Sequence, residues 1–281
     1  MAIKLWQGDA DTRAQAKTVT ITTNATSATF TLTATDEKGN TAAESTTGGS
    51  AASDTASLLN DAWNASGSPV CQRVTGTVSA AVITLTAATA GVPFSVATTA
   101  TTTTAALTSA DTVSSRGPND FNVAENWQGG VKATSDDEIM CMAGAGAILY
   151  GLDQTSTGGG TAGGFEGFSV EEGFANNIGG TDDAALTMLL SEDKVRLQGT
   201  GYITLDLKAS AVAPAIYDTY AASAGSYGLK LAGTAMTTVN VYKGVVGIGV
   251  EPDDTTTSLT NLNVNYICLL YTSDAADEED S

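Results

Sequence analysis

The chain has 281 residues, of which 42% are hydrophobic and only 6% are aromatic, so its core must be built mainly from small side chains. Asp and Glu outnumber Lys and Arg by 31 to 12, and the formal net charge of −19 argues against a nucleic-acid partner. Histidine is absent, which removes the commonest general base, and Cys71, Cys141 and Cys268 lack the spacing of a metal site or a disulfide framework.

The N-terminal residues 1–16 are predicted to form an arm. Their first ten residues are polar and charged and contain no apolar stretch of signal-peptide length. No later run of the chain reaches the roughly 18 apolar residues that a membrane helix needs. We therefore expect neither an export signal nor a membrane partner.

Residues 17–114 are predicted to form a small α+β domain. The runs VTITT and ATFTLTAT alternate as half-buried strands do, and the polar segment 36–40 closes a hairpin. A helix is expected over 53–65, with Ser53 or Asp54 as its N-cap. Its apolar face would consist of Leu58, Leu59, Ala62 and Trp63. A second hairpin, VCQRVTGTV and AAVITLTA, precedes the segment GVPFSVATTAT.

Residues 115–267 are predicted to form a second domain that begins at the turn-rich SSRGPND. A short apolar strand follows the acidic turn in SDDEIMCM, and the Gly-rich TSTGGGTAGGFEGF is expected to be a loop. From Lys194 onward, short alternating segments end at Gly, Pro, Asp or Asn: KVRLQG, YITLDLKA, YGLKLAG, TTVNVYKG, VVGIGVEP and LTNLNVNYI. This pattern favours a mainly β chain ending in a parallel β-helix, or solenoid, with a β-sandwich as the alternative.

Two asparagines of these segments occupy similar places between apolar neighbours. Asn240 lies in VNV and Asn263 in LNV. They either stack as an internal ladder or face outward as ordinary surface residues.

The last segment, 268–281, differs in character from the rest of the chain. Its residues 268–278, CLLYTSDAADE, resemble the translated read-through of a transposase-type sequencing adapter. On this interpretation the tail is an artefact, the domain 115–267 is truncated, and the five acids of the tail do not belong to the natural charge. The alternative is an authentic acidic, solvated tail.

Several segments together resemble a group of uncharacterised proteins encoded in phages, prophages and metagenomic viral contigs: LLNDAWNAS, VITLTAATAGVPFSVATTAT, SSRGPNDFNVAENW and ILYGLDQ. In that group a small Thr-rich domain precedes an autotransporter-like β-helix. An Asn-Trp pair, a Gly turn, a Pro and a paired-Asp turn mark the start of that β-helix. Asn126-Trp127, Gly129-Gly130 and Asp136-Asp137 match this pattern, whereas Val131-Lys132-Ala133 stands where the Pro is expected. The resemblance implies a virion-associated protein, carries over no catalytic residue, and makes Trp127 a cap over the first coil.

Acidic clusters are the main candidates for a metal or catalytic site: Asp136-Asp137-Glu138, Glu171-Glu172, Asp182-Asp183 and Glu251-Pro252-Asp253-Asp254. None has calcium-loop spacing, so we interpret them as solvated turns. The strand-adjacent Asp206 and Glu251 are candidate polysaccharide-cleaving carboxylates, but surface roles are favoured for both.

Two further groups of residues were candidates for ligand binding. The glycines at 158–160 and 163–164 lack the Lys of a phosphate loop and are interpreted as loop residues. Tyr217, Tyr220 and Tyr227 could stack on sugars, but packing at the surface is favoured.

These observations predict a non-enzymatic structural or surface-presenting protein of a phage-type particle, such as a decoration, fibre or tail-associated protein. It would be assembled in the host cytoplasm and located in the virion. Expected partners are other particle proteins, further copies of the chain in a possible trimer, and host-surface carbohydrate; no cofactor is expected. A bacterial surface adhesin with an autotransporter-like stalk and a polysaccharide depolymerase are the alternatives.

Overall fold

The computed structural model describes residues 2–155, 164–179, 184–209, 215–219, 229–233, 236–244, 246–249, 257–264 and 270–272. The chain forms two compact units, one of residues 11–117 and one of residues 1–10 together with 118–281. The predicted N-terminal arm contains strand β1 (Ala2–Trp6), which belongs to the second of these units. The ends of the unit 11–117 are joined to each other, because the N–H of Arg13 donates to the carbonyl of Arg116 at 2.7 Å.

The unit 11–117 contains two antiparallel sheets and two helices. Its elements are β2 (Ala16–Thr23), β3 (Thr29–Thr35), β4 (Thr41–Thr47), α1 (Ala52–Ala65), α2 (Pro69–Gln72), β5 (Val74–Ser79), β6 (Val82–Ala87), β7 (Ser95–Ala100) and β8 (Ala106–Val113). The strand order is β5-β6-β2-β8 in one sheet and β4-β3-β7 in the other. Alternation in β3 buries Phe30, Leu32 and Ala34 and turns the threonines to the opposite face.

Both predicted hairpins of this unit are confirmed. The segment 36–40 joins β3 to β4, and Thr35 pairs with Thr41 beside the turn. Strands β5 and β6 form the second hairpin, in which Ser79 pairs with Val82. The first part of the predicted VCQRVTGTV strand is helical instead, because α2 begins at Pro69, whose fixed φ suits the first turn of a helix.

The predicted helix over 53–65 is confirmed within one residue, but its N-cap and part of its buried face were predicted wrongly. The N-cap is Ala51, and Asp54 lies three residues later, where its carboxylate accepts the N–H of Ala51 at 3.1 Å. Leu58 is 47% exposed, and the buried face comprises Thr55, Ala56, Leu59, Asn60 and Trp63. Relative to the predicted face, the buried face is therefore rotated by about one residue around the helix axis.

Helix α1 is attached to strand β5 by two side chains at its C-terminal end. The indole N–H of the fully buried Trp63 donates to the carbonyl of Val74 at 2.7 Å. The amide of Asn64 donates to the carbonyl of Gly76 at 2.9 Å and accepts its N–H at 3.1 Å. Trp63 is thus the anchor of the helix, as its sequence position predicted.

The unit formed by 1–10 and 118–281 contains one large parallel sheet, twelve-stranded among the described residues. Besides β1 it comprises β9 (Asp137–Cys141), β10 (Asp153–Gln154), β11 (Phe165–Val170), β12 (Leu186–Leu197), β13 (Ile203–Ala209), β14 (Ala215–Thr219), β15 (Leu229–Ala232), β16 (Met236–Val241), β17 (Val246–Ile248), β18 (Leu259–Val264) and β19 (Leu270–Thr272). Two short 3₁₀ turns, Ala124–Asn126 and Gln128–Gly130, precede β9.

The long strand β12 divides this sheet into two series. Its first part pairs with β13, and that series continues through β15, β17 and β19. Its last part pairs with β11 and β14, and that series runs from β1 through β9 and β11 to β14, β16 and β18. From β13 to β19, consecutive strands of the chain therefore alternate between the two series.

In each series, buried apolar residues of neighbouring strands pair with one another. Phe168 pairs with Ile139 on one side and with Val195 on the other, and all three side chains are buried. In the second series Leu205 pairs with Leu231, and both are fully buried. Because parallel pairing repeats the same inward positions from strand to strand, the core runs continuously along both series.

The chain is mainly β, as predicted. All six segments predicted as strands from Lys194 onward contain a strand. The last residues of the predicted loop TSTGGGTAGGFEGF form a strand instead, because Phe165 and Phe168 are buried in β11. A β-sandwich would consist of antiparallel sheets, whereas every described strand pair of this unit is parallel. Of the segment 268–281, only Leu270–Thr272 is described, and it pairs with β17.

Candidate functional site

Three aromatic side chains pack together at the end of strand β1: Trp6, Phe121 and Trp127. The ring of Trp127 meets Trp6 at a centroid distance of 5.3 Å and Phe121 at 4.8 Å, both edge to face. Its indole N–H donates to the carbonyl of Phe121 at 3.0 Å, and its side chain is only 1% exposed. Trp127 is therefore packed inside this cluster of three rings, which we call the aromatic cap, and offers no ring face to a ligand.

Asn126, the neighbour of this cap, is a fully buried connector. Its side-chain oxygen accepts the N–H of Ala10 at 2.8 Å, and its amide donates to the carbonyl of Asp120 at 2.9 Å. Its own carbonyl accepts the N–H of Gln7 at 2.8 Å. The Asn-Trp pair thus connects the segment after β1 to the segment before β9, which is a structural role.

The Gly and Asp turns that follow are also structural. Gly129 and Gly130 have φ values of 79° and 68°, which only glycine adopts without strain. Asp137 accepts the N–H and the hydroxyl of Thr134, each at 3.0 Å. Glu138 accepts the hydroxyl of Ser169 at 3.4 Å. The acids at 136–138 therefore make local hydrogen bonds rather than converging on one point.

The other candidate acids make no shared metal site in the part of the chain that the structure describes. Glu171 accepts the N–H of Ala143 at 3.4 Å, and Asp206 is half-buried in β13. Among the described residues, no three Cys, Asp or Glu side chains lie close enough to hold a metal ion. The glycines at 158–160 and 163, the acids at 182–183 and 251–254, and the tyrosines at 220 and 227 lie outside the described residues, as does Cys268.

The two asparagines of β16 and β18 form a hydrogen-bonded pair on the outer face of their series. They occupy the same register position, and the amide of Asn263 donates to the side-chain oxygen of Asn240 at 2.8 Å. Asn263 is exposed and Asn240 is half-buried, while the neighbouring Val239 is buried. The ladder is therefore external, because alternation along β16 reserves the inner positions for valine.

The unit 11–117 has a pocket of about 250 Å³ with apolar walls that include Val70, Val74 and Phe94. At its rim the guanidinium of Arg73 lies 3.0 Å from Glu37 and 3.4 Å from Asp36. Burial alone would raise the pKa of Asp36, but hydrogen bonds from Asn40 and Lys38 and the charge of Arg73 hold it below the usual value. Both carboxylates are thus paired with Arg73. The lining of the pocket is therefore suited to apolar contact rather than to a chemical reaction.

Asp36→Ala is expected to destabilise the unit 11–117 by about 1–3 kcal/mol at pH 7, because the turn N–H groups of Lys38 and Asn40 lose their acceptor. Native-state hydrogen exchange of peptides from β3 and β4 measures this loss. Since the folded pKa of Asp36 is lowered, its stabilisation is present above the unfolded pKa of about 3.9 and disappears as the pH falls through the folded pKa.

The exposed Asp61 provides the matched control for this prediction. Asp61→Ala should change the free energy of unfolding by less than about 0.5 kcal/mol, both at pH 7 and at a pH below the folded pKa of Asp36. A loss of equal size in both variants would contradict a specific role of Asp36 in the turn.

A cluster of polar side chains lies beside the aromatic cap and was not predicted. Lys132 donates to the side-chain oxygen of Asn122 at 2.9 Å, and the fully buried Gln154 donates to the same oxygen at 3.2 Å. Asp120, 7% exposed, accepts the N–H of Asn122 at 2.9 Å. The one sequence signal of this cluster was Lys132, which stands in the segment where the resembling proteins have a Pro.

The ionisable groups of this cluster are shifted toward their uncharged forms. Burial raises the pKa of Asp120, although the N–H of Asn122 and the charge of Lys132 oppose this shift. Burial lowers the pKa of Lys132, and the charge of Asp120 opposes it. A lysine of lowered pKa beside a carboxyl of raised pKa can exchange a proton more easily than a solvated pair.

The described cysteines are packed in the two cores. Cys71 is 4% exposed, and Cys141 is fully buried, which raises the pKa of its thiol. We expect native alkylation by iodoacetamide at both residues to be slower than in denaturant by more than about 100-fold, because it requires local opening. Peptide mapping after timed alkylation measures this, and equal rates in both conditions would contradict the buried positions.

Comparison of the chain with protein-family models, with curated proteins and with solved structures finds no match in any of the three. In the described part of the chain, no helix has both the length and the apolarity to span a membrane. The strongest functional indications therefore come from the parallel sheet, its outer face and the polar cluster of Asp120, Asn122, Lys132 and Gln154.

Proposed function

We propose that the chain is a non-enzymatic, surface-presenting structural protein of a phage-type particle. The observation that carries this proposal is the pair of parallel strand series that share one continuous core. A parallel stack of this kind grows in one direction as strands are added, and each strand contributes the same outward positions. Such a body suits a fibre, a decoration or a tail-associated projection.

We infer that the two series wind as a parallel β-helix. Consecutive strands from β13 to β19 alternate between the series, as the strands of successive coils do. The buried Ile148, Ile178 and Ile203 also pair in sequence and in parallel, one step per coil. Completing each coil requires only that the segments between strands turn at the edges.

The particle assignment rests on the phage-type resemblance and on composition. The chain has no histidine, and its acidic charge disfavours a nucleic-acid partner. We propose other particle proteins or further copies of this chain, including a trimer, as its partners, and host-surface carbohydrate as a ligand of the outer face. Its location would be the virion, with the bacterial cell surface as the alternative.

Peptide mass spectrometry of purified phage-type particles from the source host tests the proposal. Peptides of this chain should copurify with capsid or tail proteins through a density gradient. Their absence from intact particles, together with their presence in a washed cell-envelope fraction, would replace the particle assignment by the adhesin. Release of reducing sugar from host capsule by the purified chain would replace the non-enzymatic assignment by a depolymerase.

A further inference from the structure

We propose that Lys132 and Asn122 become joined by an intramolecular isopeptide bond, with Asp120 carrying the proton and Gln154 holding the amide oxygen. The bond would form without a cofactor and would be a permanent modification of the first coil. It goes beyond the proposed particle function, because it concerns the covalent structure of the chain itself.

The geometry places a nucleophile against an electrophile. The amine of Lys132 lies 2.9 Å from the side-chain oxygen of Asn122, and the carbon bonded to that oxygen is the atom that the amine would attack. That oxygen also accepts from Gln154 at 3.2 Å. The Gln154 amide is fully buried and would therefore stabilise the negative charge that develops on the oxygen during attack.

Asp120 is held close to the amide that must leave. Its carboxylate accepts the backbone N–H of Asn122 at 2.9 Å. Beside it, Gly151 has φ +66°, and a Cβ at this glycine would come within 2.6 Å of both the Asp120 carboxylate and the Asn122 side-chain nitrogen. Both groups thus crowd the same face of Gly151, where only a residue without a side chain leaves room for them.

The environment favours the protonation states that the reaction needs. Burial lowers the pKa of Lys132 and raises the pKa of Asp120, so a proton passes more readily from the ammonium to the carboxylate. The products of that transfer are a neutral amine and a carboxylic acid. Asn122 is exposed on its other side, so ammonia can leave directly into solvent.

The reaction balances within the chain. The lone pair of the neutral Lys132 amine forms a bond to the side-chain carbon of Asn122, and the carbonyl electrons move onto its oxygen. Asp120 donates its proton to the side-chain nitrogen, the carbon–nitrogen bond breaks, and ammonia leaves. The Asp120 carboxylate then takes the remaining excess proton from the new amide nitrogen, so no oxidant or co-reactant is consumed.

The bond would enclose the segment that carries the aromatic cap. Trp127 and the Gly129-Gly130 turn lie between the two linked residues in the sequence. Closing this loop removes conformations from the unfolded chain and leaves the cap fixed over the core even when the surrounding strands open.

Intact-mass spectrometry of the purified full chain under denaturing conditions tests the proposal. The measured mass should be lower than the sequence mass by one molecule of ammonia. Digestion with trypsin should lack cleavage after Lys132 and yield a peptide spanning 117–194. A Glu-specific protease cuts at Glu125, between the linked residues, and should leave two peptides joined by the new amide.

The full sequence mass would overturn the proposal. So would loss of ammonia together with normal tryptic cleavage after Lys132, since that result indicates cyclisation of an asparagine alone. Lys132→Arg keeps the charge but lacks the amine, and it should retain the full mass. Asp120→Asn should also retain it; complete linkage in that variant would overturn the role of Asp120 as proton carrier.

Discussion

Replacing Trp127 by alanine should lower the opening free energy of strands β1 and β9 by about 3–5 kcal/mol. The side chain is 1% exposed and packs edge to face on both Trp6 and Phe121. Its removal leaves a cavity beside Trp6 and Phe121 and deprives the carbonyl of Phe121 of its indole donor. Native-state hydrogen exchange of peptides from β1 and β9 measures the loss.

Two control variants separate packing from other effects of this substitution. Trp127→Phe retains an aromatic ring but loses the N–H and part of the volume, so we expect a smaller loss of about 1–3 kcal/mol. Val131, which is 55% exposed in the same segment, should tolerate alanine within about 0.5 kcal/mol. An unchanged exchange rate in Trp127→Ala would contradict the capping role.

The second large effect is expected in the middle of a strand series. Val239→Asp places a carboxylate at a fully buried position of β16, in register with Tyr217 and Leu262. Neither Tyr217 nor Leu262 carries a charge that could pair with the new carboxylate, so the substitution should cost more than about 4 kcal/mol and abolish exchange protection in β14, β16 and β18.

The neighbouring residue supplies the matched control for that experiment. Thr238 belongs to the same strand but faces the other way and is half-buried. Thr238→Asp should retain protection in all three strands, with a loss below about 1 kcal/mol. Equal loss of protection in both variants would contradict the assignment of inner and outer faces.

The six segments predicted as strands from Lys194 onward could be identified because their apolar residues alternate locally. Val239 and Val241, or Leu262 and its neighbours, reveal a strand without any knowledge of the partner. Strand β1 was not predictable in this way. Its five residues pair with Asp137–Cys141. A short segment near the N-terminus does not indicate a partner so distant in sequence.

The polar cluster was missed for a related physical reason. Asp120 and Asn122 lie in one segment, but Lys132 and Gln154 come from later parts of the chain, and only folding brings the four residues together. The helix illustrates a subtler limit. Its bounds followed from periodicity, but the choice between Leu58 and Thr55 for the buried face depended on Asn24 and Gly49, which both hydrogen-bond Thr55.

The pairing of Arg13 with Arg116 joins the two ends of the unit 11–117, which lies in the sequence between β1 and β9. During synthesis β1 leaves the ribosome before this unit, whereas its partner β9 follows only after the whole unit has emerged. The antiparallel unit can complete its own hydrogen bonds in that interval, while β1 waits as an unpaired strand. The time needed to translate residues 7–141 therefore sets how long the nascent chain exposes an aggregation-prone edge.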